Sequence, residues 1–279
     1  MESAVRDDRI LPFTKVICAI IVPFLLVAFV LLYLFPDNTK ELFAWEIKPR
    51  MTPMLMGAGY IAGAYFFVRA LAETRWHRIA LGFLPVSAFT WPLGIATLLH
   101  MDRFTPGHIA FYIWFILYLV TPFLIPIVWL RNRVTDPGTP EPHDVLIPAT
   151  VRMVLGAVGG LLLITGLLLF VLPTMMITIW PWQLTPLTAR VVAGWLALPG
   201  VGGLAIAREP RWSAVRIPFE GIMIWLVLLL IAVGASWNNF DWSKPLTWIF
   251  VAALIGELLG MVALYIRIET WGRKEAAWG

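Results

Sequence analysis

The sequence predicts an all-α integral membrane protein: eight transmembrane helices forming two tandem four-helix repeats, related by a pseudo-two-fold axis along the membrane normal. Three observations carry this prediction. Of the 279 residues, 60% are hydrophobic and 14% charged, against roughly 25% charged in an ordinary soluble domain, and the mean hydropathy is +0.82. Apolar runs at about 16–34, 51–72, 79–99, 108–130, 149–172, 187–207, 214–236 and 246–267 are each long enough to cross a hydrocarbon core that needs ~20 helical residues. Rare residue types also recur at one spacing. Pro36/Pro173, Trp45/Trp182, Pro49/Pro186, Gly57/Gly194 and Gly63/Gly200 are offset by 137, and Glu73/Glu209, Arg75/Arg211 and Trp76/Trp212 by 136. Coinciding Trp, Pro and Gly mark a duplication better than shared Leu or Val, which any two membrane helices have in common.

Residues 1–14, with Glu2, Arg6, Asp7, Asp8 and Arg9, form a polar lead. The first apolar run is closed by Pro36, Asp37 and Asn38 and not by a small-residue cleavage pattern, so a retained helix is expected and not a signal peptide. Gly57, Gly59, Gly63, Gly194 and Gly200 let backbones approach closely. Pro53, Pro85, Pro92, Pro122, Pro126 and Pro199 fall inside spans, with kinks expected in the third and fourth. The apolar, aromatic connectors 41–49 and 177–186 suit a course along the outer interface or folded back over the bundle. Fifteen Trp and six Tyr are a large stock of rings for the headgroup level. The single cysteine, Cys18, excludes an internal disulfide and a cysteine-based metal cluster.

The connector 132–148, holding Asp136, Pro137, Gly138, Pro140, Glu141, Pro142 and Asp144, is too polar and Pro-rich to build a core. It divides a first repeat, 1–131, from a second, 149–279. Four spans per repeat is an even number, so both repeats begin on the same face, as in the parallel type of duplication. Of the 21 Lys and Arg, fifteen fall on the side that holds both termini, among them Arg273 and Lys274, and six on the other. The positive-inside rule therefore puts both termini in the cytoplasm and the protein in the inner membrane. The pI near 9.4 reflects this orienting charge and not a nucleic-acid partner. The expected partners are the lipid bilayer and other membrane subunits.

Glu257 is the leading candidate for function. It lies near the middle of the last span, where an ionised carboxylate costs ~3 kcal/mol unless it is paired or wetted. Its first-repeat counterpart is Thr121, so a pathway built on Glu257 is asymmetric; the plainer reading is a neutral acid bonded to a freed carbonyl. Glu220 reads as an interfacial pair with Arg216 four residues earlier. The turns Glu73/Arg75/Trp76 and Glu209/Arg211/Trp212 read as hairpins with a charge pair and a Trp anchor, with a lipid-headgroup or partner site as the sharper alternative. On the outer side, His100, Asp102 and His108 offer three potential metal ligands, although a capped polar loop accounts for them as well. All four histidines lie at span ends or in loops, which argues against haem, and no cofactor or catalytic motif is evident.

Phe43-Ala-Trp45, Met51-Thr52, Gly57-Ala-Gly-Tyr60, Glu73 to Trp76 and Leu98-Leu-His-Met-Asp-Arg-Phe104 resemble a family of bacterial multi-pass membrane proteins with no assigned activity. The likeness covers mostly the first repeat, implies a membrane-integral fold and transfers no functional residue. The expected function is non-enzymatic: transport-like or small-ligand binding between the repeats, centred on Glu257. The alternatives are an accessory subunit of a larger membrane complex, or a lipid-modifying enzyme using the outer histidine loop.

Overall fold

Helices long and apolar enough to cross a membrane are α1 (Pro12–Leu34), α2 (Met51–Ala72), α3 (His77–Leu99), α4 (Ile109–Thr135), α5 (Ala149–Val171), α6 (Pro186–Arg208), α7 (Trp212–Ala235) and α8 (Pro245–Thr270). They fall on the eight apolar runs of the sequence. The structure, a computed structural model, describes residues 6–278, with side chains to residue 270. Glu2 and the side chains of Arg273 and Lys274 lie outside the described residues. Among the described residues there is no strand, only isolated bridges between loops.

Local chemistry sets the ends of several helices. Pro12 opens α1 at a position where a missing N–H costs nothing, and Pro36 follows its last, π-wound turn, Val30–Leu34. Pro186 opens α6 behind Thr185, whose hydroxyl accepts from the Thr188 N–H while the Thr188 hydroxyl accepts from the Thr185 N–H, a reciprocal cap. At 1.5 Å per residue, spans of this length reach across a hydrocarbon core of ~30 Å.

The helices sort into an inner and an outer set. The most apolar stretches of α2, α3, α6 and α7 are 67, 50, 44 and 44% buried within the protein, against 17, 28, 22 and 11% for α1, α4, α5 and α8. Each outer helix leans on one inner helix: α1 on α2, α4 on α3, α5 on α6, α8 on α7. Within the inner set α3 packs on α6, α2 on α7, and α3 on α7. The α5–α6 crossing is backbone on backbone: a Cβ at Gly159 would lie 2.6 Å from the Gly200 carbonyl oxygen, and one at Gly203 would lie 2.5 Å from that of Leu155. Without a hydrophobic drive between helices in lipid, such close approach is what holds them together.

One end of the bundle, here the linker end, gathers the polar lead, the 132–148 connector and the end of α8. At the other end the two aromatic connectors turn inward instead of lying on the lipid interface. Trp45, 2% exposed, packs on Phe104 and Trp114, and Trp182, 1% exposed, packs on Phe240 and Phe250. The Trp182 indole N–H also donates to Thr52 of α2 at 2.9 Å, which ties the second connector to an early helix.

Candidate functional site

A cleft of about 740 Å³ opens between α5 and α6 on one side and α7 and α8 on the other, with α2 and α3 at its back. It exists because α8 leans on α7 and stands away from α5. A Cβ added at Gly256 or Gly260, both lining the cleft, would meet nothing within 4 Å. The walls are aliphatic, and Phe66, Trp195, Phe219 and Trp225 add aromatic faces. The Trp225 indole donates to the Leu55 carbonyl, but the buried Trp195 Nε1 has no acceptor among the described residues. Glu257 lines this cleft and is exposed within it, and no hydrogen bond or ion pair to it is found among the described residues. Thr121, its sequence counterpart, is not in the cleft; its hydroxyl donates back to the Leu117 carbonyl at 2.6 Å and is satisfied within its own helix.

The linker end holds a dense charge network. Asp8, from the polar lead, caps α3: its Oδ1 accepts from the His77 N–H at 3.0 Å and its Oδ2 lies 2.5 Å from His77 Nδ1. Asp144, from the connector, caps α7 in the same way, accepting from the Ser213 N–H at 3.0 Å and from the Ser213 hydroxyl at 2.6 Å. The two capped residues meet, with His77 Nε2 3.1 Å from Ser213 Oγ. Asp8, His77 and Ser213 thus have the outline of a nucleophilic triad, but the protons are committed elsewhere. His77 Nε2 lies 2.7 Å from Glu141, and the serine proton goes to Asp144. With a carboxylate at each imidazole nitrogen and only 1% exposure, His77 ties the polar lead and the connector to the start of α3, and Ser213, whose proton goes to Asp144, is not presented to it as a nucleophile.

Glu141 takes both nitrogens of an Arg78 fork at 2.7 Å and is approached by Arg75 at 3.1 Å. The Arg78 hydrogen bonds bring its carboxyl down to about 2; burial opposes this, and the charges of Arg78, His77 and Arg75 add to it. At Asp136 burial acts upward but is outweighed by hydrogen bonds from Arg211 and the Gly138 N–H, which carry the carboxyl below its usual range. Arg211 also grips Glu209 at 2.7 Å, as the turn motif suggests. In the earlier turn Arg75 instead goes to Glu141, and Glu73 faces Arg78 at 3.3 Å and Arg69 at 3.9 Å. Neither turn Trp is a lipid anchor: Trp76 is fully buried against Phe83, and Trp212, 5% exposed, donates its indole N–H to Glu269 at 2.8 Å. Glu220 pairs with Arg216 at 3.1 Å, and also with Arg69 of α2 at 2.8 Å and with the hydroxyls of Tyr65 and Tyr265, so it joins three helices.

At the opposite end the three candidate ligands part company. His100 Nε2 faces Arg190 at 2.7 Å. Burial first, and then the Arg190 charge, hold its imidazole below the usual histidine range, so the neutral ring accepts from the guanidinium. Asp102 pairs with Arg103 at 3.0 Å in solvent, and the His108 Nδ1 is buried without a partner. Among the described residues no three His, Cys, Asp or Glu side chains are grouped to hold a metal ion. Sequence reasoning passed over Asp8, His77, Glu141, Asp144, Ser213 and Asn132. The recurrence of Asp8 at Asp144, offset by 136 like the turns, was a readable signal for two of them. No family model, curated protein or solved structure matches the chain.

Proposed function

We propose that this protein binds, and by the same route transports, a lipid-soluble small molecule in the cleft between α5–α6 and α7–α8, with Glu257 as its polar centre. The cleft lies mainly within 149–279, with α2 and α3 of 1–131 at its back, and not midway between the repeats as expected from the sequence. The observation that carries the reading is a cleft of about 740 Å³ holding an unpaired carboxylate at mid-span. Pockets of this size bury most of a small ligand, and a lone acid at that depth is a functional device by default.

The proposal includes a duplicated architecture: 1–131 and 149–279 as repeats joined by 132–148, about an axis along the membrane normal, in the inner membrane with both termini cytoplasmic. Supporting it, α1 lies on α2 as α5 on α6, α4 on α3 as α8 on α7, and α3 meets α6 as α7 meets α2. The Asp8–His77 and Asp144–Ser213 caps share one offset, as do the loop bonds from the Thr105 N–H to Ala44 and from the Asp241 N–H to Pro181, within a residue. His77 and Ser213, counterparts in this register, touch each other, as residues beside a two-fold axis must.

The test is photolabelling of the full chain in nanodiscs with a lipophilic diazirine. Labels should concentrate on cleft-lining peptides of α5, α6 and α8, and Gly256→Leu, which starts a bulky side chain from a Cβ position with open space around it, should remove them. Labelling spread evenly over all lipid-facing helices, unchanged by Gly256→Leu, would refute the site.

A further inference from the structure

We infer that the ligand of this cleft is a lipophilic cation, an ammonium or phosphonium centre on an apolar body, entering sideways from the bilayer; the inference rests on the cleft reading above. Among the described lining residues there is no Lys, Arg or His to neutralise Glu257, and beyond it only the Thr150 hydroxyl and the indoles of Trp195 and Trp225 are polar. An anion would meet a carboxylate and no cationic side chain among the described lining residues. A neutral, hydrogen-bonding solute would leave most of its polar groups unsatisfied against aliphatic walls. A hydrophobic cation gains on both counts: the carboxylate supplies its counter-charge, and the aliphatic walls with the rings of Phe66, Trp195, Phe219 and Trp225 behind them bury its apolar body.

The route follows from exposure. Val154, Leu161 and Leu168 on α5 and Leu259 on α8 are all more than half exposed, so the two helices beside the cleft face lipid. A molecule already dissolved in the bilayer reaches Glu257 without crossing water.

The experiment compares two ions of the same shape and opposite charge, tetraphenylphosphonium and tetraphenylborate, by equilibrium binding to the full chain in zwitterionic nanodiscs. The wild type should take the phosphonium and not the borate. Glu257→Gln should weaken phosphonium binding by about tenfold or more, Glu257→Asp should restore most of it, and Gly256→Leu should abolish it. Equal binding of both ions, lost in Gly256→Leu but kept in Glu257→Gln, would overturn the cation inference while leaving the cleft as the site. Phosphonium binding untouched by Gly256→Leu would overturn the cleft itself. Binding of neither ion, with a co-purified acyl chain or a second copy occupying the α5–α8 face, would also overturn the inference.

Discussion

Between α1 and α4 the linker end is tightly packed; between α5 and α8 it is hollow. In the first half Cys18, Ile125 and Val128 are fully buried. In the register proposed above their counterparts are Val154, Met261 and Leu264, and all three line the cleft. The seal has an identifiable cause. Asn132, at the end of α4 and fully buried, accepts from the Leu11 N–H at 2.9 Å and the Thr14 hydroxyl at 2.7 Å, and donates to the Arg9 carbonyl at 3.0 Å. In the second half the residue at that position is Ile268, and Thr150, the counterpart of Thr14, is exposed on the rim of the cleft. In the proposed register, an amide present at one position and absent at its counterpart goes with the difference between a packed crossing and a ligand-sized space.

The largest effect that tests this comparison is loss of the seal. Asn132→Ile removes four side-chain hydrogen bonds, three of them to the chain entering α1, and strands the Leu11 N–H and the Thr14 hydroxyl in an apolar crossing. At ~1 kcal/mol per bond, and more for each stranded group, unfolding in mixed micelles should become easier by about 3 kcal/mol. The first half should also open at the α1–α4 crossing, readable as new diazirine labelling of α1 and α4. A change below ~0.5 kcal/mol with no new labelling would mean that the seal lies in the aliphatic packing of Cys18, Ile125 and Val128.

The reciprocal change is smaller. Ile268→Asn offers the second half the amide it lacks, with Thr150 in the place of Thr14. If the two bond, α8 is drawn toward α5, the cleft narrows, and phosphonium binding should fall by about fivefold, roughly 1 kcal/mol. Unchanged binding together with a lowered melting temperature would show a buried amide without a partner, and the comparison would need a cause beyond this position.

The same contrast shows what a sequence of this kind discloses. Span number and approximate ends follow from apolar length alone, because lipid forces every backbone group into a helix. Glu257 stood out because acids at mid-span are rare. The cleft did not, since it depends on how far α8 stands from α5, and the apolar stripes on both helices are compatible with contact or separation. Trp76 and Trp212 read as headgroup anchors because a ring with one polar edge suits an interface. The linker end is itself such a boundary inside the protein, and the indole of Trp212 found Glu269 there. The His77–Ser213 meeting joins residues 136 apart and needs the register and the packing together.

The smallest effect separates the two halves by chemistry. The seal of the first half uses the Asn132 amide, the Thr14 and Thr135 hydroxyls and backbone groups, none of which titrates, although the lead just ahead of it is pinned to His77 by the Asp8 carboxylate. The chain leading into α5 is held instead by carboxylates: Glu141 on Arg78 and Arg75, Asp136 on Arg211. Glu141 sits at about 2 in the folded protein against 4.5 ordinarily, and Asp136 moves in the same direction. A carboxyl depressed by folding contributes stability that is fully present above its unfolded value and is lost as pH falls through its folded one. Between about pH 4.5 and pH 2 the connector should therefore loosen while α1 and α4 stay sealed. Pepsin, active throughout that range, should begin to cut within 136–144 as the pH drops, with helical circular dichroism unchanged and with earlier cutting in Arg78→Gln. Cutting that begins at Leu11–Thr14, the stretch that Asn132 holds, as early as in the connector would show that acid loosens both halves alike, and the contrast between an uncharged seal and a charged one would fail.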